Sequence, residues 1–396
     1  MTAASYPSLS GAPPLRHMLA ELIATPSVSS VNPALNHSNR PLLELLAQWL
    51  EDSGFAIEMQ SVPDEPDKAN LIARLGTGED GLVLAGHSDT VPYDASLWHQ
   101  DPFVMTEADG RLYGLGICDM KAFLALAIEA ARGLRAEQLQ APLILLATAD
   151  EESAMHGARA LLDAGYSLGR HAVIGEPTNL RPVRAHKGVM CEAIQLLGQS
   201  GHASDPALGR SALEGMHEVM GAILQWRDQL QARYCNELFS VPYPTVNLGS
   251  IQGGDNPNRI CGQCSLQLDI RLLPGLEAAT LRAELEALIA PIAEARGLDW
   301  TLNALFQSIP PGATAADAEI VRAAEALTGY PAEAVNFGTE LPFFNQLGLD
   351  TIVLGPGDIA QAHQPNEFLA LERIEPTLRL LQSLIGRFCQ PDTTGR

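Results

Sequence analysis

Short apolar runs, each closed by glycine or polar residues, alternate with amphipathic stretches from Leu15 to about Arg184. That alternation predicts buried strands interleaved with helices. The runs Leu82-Val83-Leu84-Ala85, Leu143 to Ala147 and Ala172-Val173-Ile174 are apolar throughout, as expected for interior strands of a mostly parallel sheet covered on both faces. The stretch after Asp119 is apolar nearly all round, which suits a helix laid against such a sheet.

Between about His186 and Leu302 the pattern changes. A strand near Val189 to Leu197 precedes a long helix from about Ala207 to Ala232, strands at Thr245 to Ile251 and Ser265 to Leu272, a helix from about Ala278 to Arg296 and a strand at Trp300. This β-α-β-β-α-β order is the ferredoxin-like split arrangement, whose open sheet edge commonly serves a partner. After it the α/β pattern resumes, with a helix near Ala315 to Leu327, a strand at Thr351 to Leu354 and a closing helix from Glu372 to Phe388. The expected fold class is α/β: a mostly parallel sheet flanked by helices, with an inserted α+β domain. Residues 1–185 and 303–396 would form one discontinuous domain and 186–302 the insertion, and a length of 396 residues agrees with two domains.

Composition narrows the function. Basic residues number 25 against 47 acidic, a net charge of −22, which disfavours nucleic acid and anionic lipid as partners. No apolar run is long enough to span a bilayer. The opening MTAASYPSLSGAPP lacks the basic start and apolar core of a secretory signal, reads as a loose tail, and leaves the cytoplasm as the expected compartment. Six cysteines are too few for a disulfide scaffold. Cys261 and Cys264 read as ordinary strand residues, because no second pair completes a metal site.

The candidate chemistry lies in where potential metal ligands fall. His87, the pair Glu151 and Glu152, Glu176 and His363 each come just after a predicted strand, and Asp119 follows the glycine-rich Tyr113-Gly114-Leu115-Gly116. In open α/β sheets, ligands bind at the carboxyl ends of the strands. Singly, each has an ordinary alternative: a hydrogen-bonded structural histidine, a solvated glutamate pair, or an Asp119 that merely caps a helix. Together they compose a nitrogen and oxygen donor set without cysteine, suited to zinc, with cobalt or manganese as alternatives. Asp89, two residues beyond His87, is expected to accept the ring's second N–H and fix its orientation. Two cations about 3.5–4 Å apart need an anion between them, and Asp119 is the candidate bridge. Of the adjacent glutamates, one can bind metal while the other moves a proton from water to the leaving nitrogen.

At these positions the chain resembles the dinuclear zinc aminoacylase and carboxypeptidase family. The matching segments are Gly86 to Pro92, Tyr113 to Gly116 with Asp119-Met120-Lys121, Asp150-Glu151-Glu152, Gly175-Glu176-Pro177-Thr178, Gly201-His202-Ala203-Ser204 and Gly338-Thr339-Glu340. The resemblance implies two divalent metal ions per chain. Asp119 bridges them, His87 and Glu176 complete one site, Glu152 and His363 complete the other, and Glu151 is the general base. It also implies an inserted lid domain that forms a homodimer, with His202 helping to hold the developing oxyanion. Asn258 and Arg271 are implied as substrate contacts, since an arginine fork suits a carboxylate. His202 as a turn residue and Arg271 as an exposed strand residue remain the ordinary alternatives. The family usually has glycine after Asp-Met-Lys, where this chain has Ala122.

The substrate class that follows is a small N-acyl amino acid. Phe337 to Pro342 and Gly355-Pro356-Gly357 look most like the branch that removes the acetyl group from N2-acetyl-L-ornithine. Acetylcitrulline, succinyl-diaminopimelate and broader acylamino acids are the alternatives. Glu340 could face a cationic side chain or serve only as a neighbour of a helix start. Lysine occurs three times, as Lys68, Lys121 and Lys187. Lys121 and Lys187 fall in the matching motifs, with structural and substrate roles both open.

Overall fold

The computed structural model describes residues 11–391, so the first ten residues of the opening stretch lie outside the description. The chain divides into two compact units, Met1–Arg184 with Thr314–Glu333 and Thr339–Arg396, and Ala185–Ala313 with Ala334–Gly338.

The first unit is built on a sheet whose strands run in the order Ala56–Val62, Glu65–Leu75, Leu143–Thr148, Leu82–His87, His171–Pro177 and Asp350–Gly355. The last four are parallel to one another, and Glu65–Leu75 and Ala56–Val62 join them antiparallel on one side. Every residue of Leu82–His87, Leu143–Thr148 and His171–Pro177 is buried. Helices cover both faces of such a sheet, which explains why these strands read as unbroken apolar runs.

The helix Lys121–Ala130 buries nine of its ten residues and packs against helices Leu15–Ala24 and Ile374–Cys389 as well as the sheet. One continuous core joins Leu19, Leu22, Phe123, Leu126, Leu145 and Leu384. Each such side chain removed from water contributes roughly 1.5–3 kcal/mol. The two ends of the chain are therefore held in one core, as a discontinuous unit requires.

The second unit has a four-stranded antiparallel sheet in the order Thr245–Gly253, Gln263–Leu272, Gly188–Leu197, Asp299–Ala304. Helices Ala212–Arg233 and Ala278–Ala295 pack together and against this sheet, around a core that includes Ile194, Trp226, Leu268 and Leu285. Its boundaries exceed 186–302, because Gly312 and Ala313 pair with His186 and Ala185 and Lys187 donates its main-chain N–H to Val335. The long helix starts at Ala212 rather than 207, with Ser211 as its N-cap accepting from the Glu214 amide. Gly209 and Arg210 are drawn away, since Arg210 exchanges two main-chain hydrogen bonds with Gln199. Cys261 precedes the strand Gln263–Leu272 while Cys264 lies in it; both thiols are free and buried.

Candidate metal centre

Neighbouring parallel strands end on the same side of a sheet, and here those ends carry the acids and imidazoles. His87 closes Leu82–His87 and Glu176 lies next to the end of His171–Pro177. Glu151 and Glu152 follow Leu143–Thr148 in a turn, and His363 follows Asp350–Gly355 through a longer loop. Asp119 stands just before the helix that starts at Lys121, after the buried stretch Leu115 to Cys118. It does not cap that helix: Met120 is the N-cap residue and no side chain caps it.

The two oxygens of Asp119 face different histidines. Oδ1 lies 3.0 Å from His87 Nε2, and Oδ2 lies 3.7 Å from His363 Nε2. Glu176 Oε1 is 3.9 Å from His87 Nε2, and Glu152 Oε2 is 3.0 Å from His363 Nε2. Potential ligand atoms of His87, Asp119 and Glu152 fall within 4.8 Å of one another, as do those of His87, Glu151 and Glu176. The carboxylate of Asp119 thus stands between His87 and His363, one oxygen toward each.

Charge crowding in this pocket is severe. Burial pushes the Glu151 carboxyl well above its ordinary range, with Glu176 adding to it, and burial does the same to Glu176, with Asp119 adding to it. Glu152 is raised by burial and by Asp119. Burial opposes the charged imidazole of His87, but Asp119, Glu176 and Asp89 around it raise its pKa well above the usual value. Burial likewise opposes ionisation of Asp119, and His87 and His363 overcome it, holding that carboxyl low. Acids packed this closely repel one another unless positive charge sits among them. Glu152 Oε1 is moreover buried without a hydrogen-bond partner, which a cation would satisfy. The donor set fits divalent ions.

Asp89 departs from expectation. The ring nitrogen His87 Nδ1 faces the main-chain oxygen of Asp89 at 3.0 Å, while the carboxylate Oδ1 is 3.7 Å away. That carboxylate is occupied elsewhere: Oδ1 accepts from the Glu151 amide and Oδ2 from the Glu152 amide, each at 3.2 Å. Asp89 therefore orients the imidazole through its backbone and holds the glutamate turn through its side chain.

Glu340 is 1% exposed, and its Oε2 accepts from Thr148 Oγ1 at 2.8 Å while Oε1 has no partner. Burial pushes its pKa up to about 7, against the Thr148 hydrogen bond. Lys121 Nζ donates to the main-chain oxygens of Leu22 and Thr25, so this lysine ties down the end of helix Leu15–Ala24. Thr148 and Asn39 escape a reading of the sequence. Asn39 donates to Ser88 Oγ, and Ser88 in turn donates to the Thr148 carbonyl, bracing the segment after His87. Nothing local marks such polar residues, since their partners lie 49 and 60 positions away.

His202, Asn258 and Arg271 belong to the second unit. His202 and Asn258 are exposed neighbours, as Ala203 donates its amide to the Asn258 carbonyl and His202 bridges Arg259. His202 Nδ1 accepts from the Ser204 amide at 3.2 Å, which leaves the proton of the neutral ring on Nε2. Arg271 is partly exposed and already forks onto Asp269 at 2.9 and 3.0 Å. Lys187 is buried and donates to the Tyr243 carbonyl.

Known proteins share this sequence and architecture. A relative from Pasteurella multocida named acetylornithine deacetylase is 49% identical over 377 residues, covering 95% of this chain and 98% of its own. An aminopeptidase PepT from Bacillus cereus superposes with a TM-score of 0.75 at 20% identity, covering 94% of this chain and 97% of its own. The Bacillus subtilis YXEP protein, described as a dinuclear metal binding peptidase, gives 0.65 at 18% identity over 94% and 97%. The family model of peptidase family M20/M25/M40 matches residues 83–387, a span that contains Asp119 and the five groups gathered around it. The chain belongs to peptidase family M20/M25/M40.

Proposed function

We propose that this chain hydrolyses the acetamide of N2-acetyl-L-ornithine to L-ornithine and acetate, a reaction of arginine biosynthesis, using two divalent cations, with zinc as the native metal. The observation that carries the metal reading is the division of the Asp119 carboxylate between His87 and His363. The substrate reading draws its support from the relative at 49% identity.

His87 and Glu176 would hold one cation, Glu152 and His363 the other, and Asp119 both. Bound there, such cations would supply Lewis acidity to an amide carbonyl and to water. Glu151 takes a proton from that water as the oxygen adds to the carbonyl carbon, and returns it to the nitrogen as the carbon–nitrogen bond breaks. Glu151 lies with His87 and Glu176 in one cluster of potential ligand atoms, which supports its place beside the reacting water. Asp89 steadies the base through its amide hydrogen bonds.

His202 is assigned as an oxyanion donor, its Nε2 proton being set by the Ser204 amide. Asn258 and Arg271 are assigned as substrate contacts, Arg271 exchanging or sharing Asp269 for a substrate carboxylate. Glu340 is assigned to the selection of a cationic side chain, supported by its partnerless buried oxygen. A homodimer through the inserted domain is part of the proposal, supported by the edge strand Thr245–Gly253. The six free cysteines support a cytoplasmic setting. None of the described helices is long and apolar enough to cross a membrane.

The test is a substrate panel on metal-reconstituted protein: acetylornithine, acetylcitrulline, acetylmethionine and succinyl-diaminopimelate. Acetylornithine is expected to have the highest kcat/KM. A higher value for any of the others would overturn the substrate assignment.

A further inference from the structure

Glu367 lies four residues beyond His363, buried at 2% exposure. Among the described residues no salt bridge holds its carboxylate, although the buried Lys121 ammonium is near enough to feel its charge. The carboxylate accepts instead from three main-chain amides of one short loop: Gly116 on Oε2 at 2.8 Å, and Cys118 and Asp119 on Oε1 at 2.6 and 2.9 Å. The main-chain oxygen of Glu367 also accepts from Gly114 at 3.2 Å. Gly116 has φ +81 and a Cβ there would press on Thr90 at 2.6 Å, so the loop needs glycine to turn its amides inward. Successive amides converging on one anion form a nest that fixes a backbone tightly.

This loop ends at Asp119. The segment bearing His363 therefore grips the segment bearing the carboxylate that faces both histidines, and the donors of the two sides are mechanically joined. We propose that Glu367 is a positioning residue for the metal pair: it holds the Gly116–Asp119 backbone so that the two Asp119 oxygens divide between the sites. The proposal rests on the metal reading above and extends it to a residue that touches neither ion.

The chemistry of substitution separates positioning from bulk. Glu367→Gln keeps the shape but turns one acceptor into a donor facing an N–H, whereas Glu367→Asp keeps the charge and retracts it by one methylene. The measurement is zinc affinity for each site by chelator competition, with the melting temperature of the metal-free protein and kcat and KM recorded alongside. The expected result for Glu367→Gln is a weakening of zinc affinity by about 10- to 100-fold. The fall in activity should lie in kcat, with KM little changed, and partial recovery of both losses is expected in Glu367→Asp. Wild-type zinc affinity in a folded Glu367→Gln protein overturns the proposal. So does loss of cooperative unfolding in both metal-free variants, which would assign Glu367 to stability alone. If the wild-type protein itself binds fewer than two zinc ions, the metal reading fails and not merely the role of Glu367.

Discussion

The Asp89 carboxylate accepts the main-chain N–H of Glu151 at 3.2 Å, reaching across the sheet ends to the turn that carries the proposed base. The same carboxylate holds the Glu152 amide through its other oxygen, while the carbonyl of Asp89 faces the His87 ring. Side chain and backbone of one residue thus serve different partners. Asp89→Ala should remove the turn's anchor and leave the imidazole contact in place. The expected outcome is a fall in kcat of about 10- to 100-fold with two metal ions retained by elemental analysis. Loss of a metal ion on this substitution would instead show that the anchor is needed to hold Glu152 as a ligand.

The adjacent glutamates are predicted to fail differently. Glu152 Oε2 faces His363 at 3.0 Å, whereas Glu151 shares its cluster with His87 and Glu176 and accepts no hydrogen bond from His363 among the described contacts. Glu151→Gln should cut turnover by about 10²- to 10⁴-fold, the usual worth of a general base, with metal content unchanged. Glu152→Gln should lower metal content from two towards one. Elemental analysis beside single-turnover rates checks both, and equal metal loss in the two variants would remove the division of roles.

Much of this architecture can be read from residue order, and the limits have physical causes. Leu143 to Ala147 and Ala172 to Ile174 announce the strands Leu143–Thr148 and His171–Pro177 because total burial demands an apolar run. Their ends then locate His87, Glu151, Glu152 and Glu176. The strand Glu65–Leu75, second from the edge, is harder to see, since it contains Pro66, Asp67 and a buried Lys68 whose ammonium finds Ser29 39 positions away. The role of the Asp89 side chain is hidden for the same reason. Proximity along the chain suggested a bond to His87, but a competing pair of amides 62 and 63 residues distant won the carboxylate. Glu367 carries no local signal either, since the loop it holds lies some 250 residues earlier in the chain, as Cys118 at 249 positions illustrates.

Close packing behind Glu176 supplies a stability prediction. A Cβ on Gly175 would fall 1.9 Å from Cγ of the Phe123 ring, far inside van der Waals contact. The ring is 1% exposed and has no free volume to enter. Gly175→Ala should therefore cost about 1–3 kcal/mol or more through overpacking, read as a lowered denaturation midpoint. Pairing it with Phe123→Leu should restore part of the loss, because the smaller side chain vacates the colliding atoms. Additive losses in the double variant would show that the clash is relieved elsewhere.

His171 provides a pH dependence away from the metal centre. Its ring packs at a tilt against Phe388 with centroids 4.4 Å apart, its Nδ1 has no partner, and burial lowers its pKa below the ordinary value despite Asp350 and Glu319 nearby. In the unfolded chain the same imidazole titrates near about 6.5. As pH falls through that value the unfolded state takes up a proton that the folded state resists, so the unfolded state binds more protons and folding stability drops. The contribution can approach about 1.4 kcal/mol per pH unit while the two states differ by a full proton, and it vanishes well above pH 6.5. His171→Leu removes the titrating group and keeps an apolar side chain against Phe388. Urea unfolding at pH 7.5 and 5.5 should show a smaller acid-induced loss of stability in the variant than in the wild type, measured with the metals removed so that ligand protonation does not contribute. An equal loss in both proteins would mean that His171 takes up its proton as readily in the folded chain as in the unfolded one.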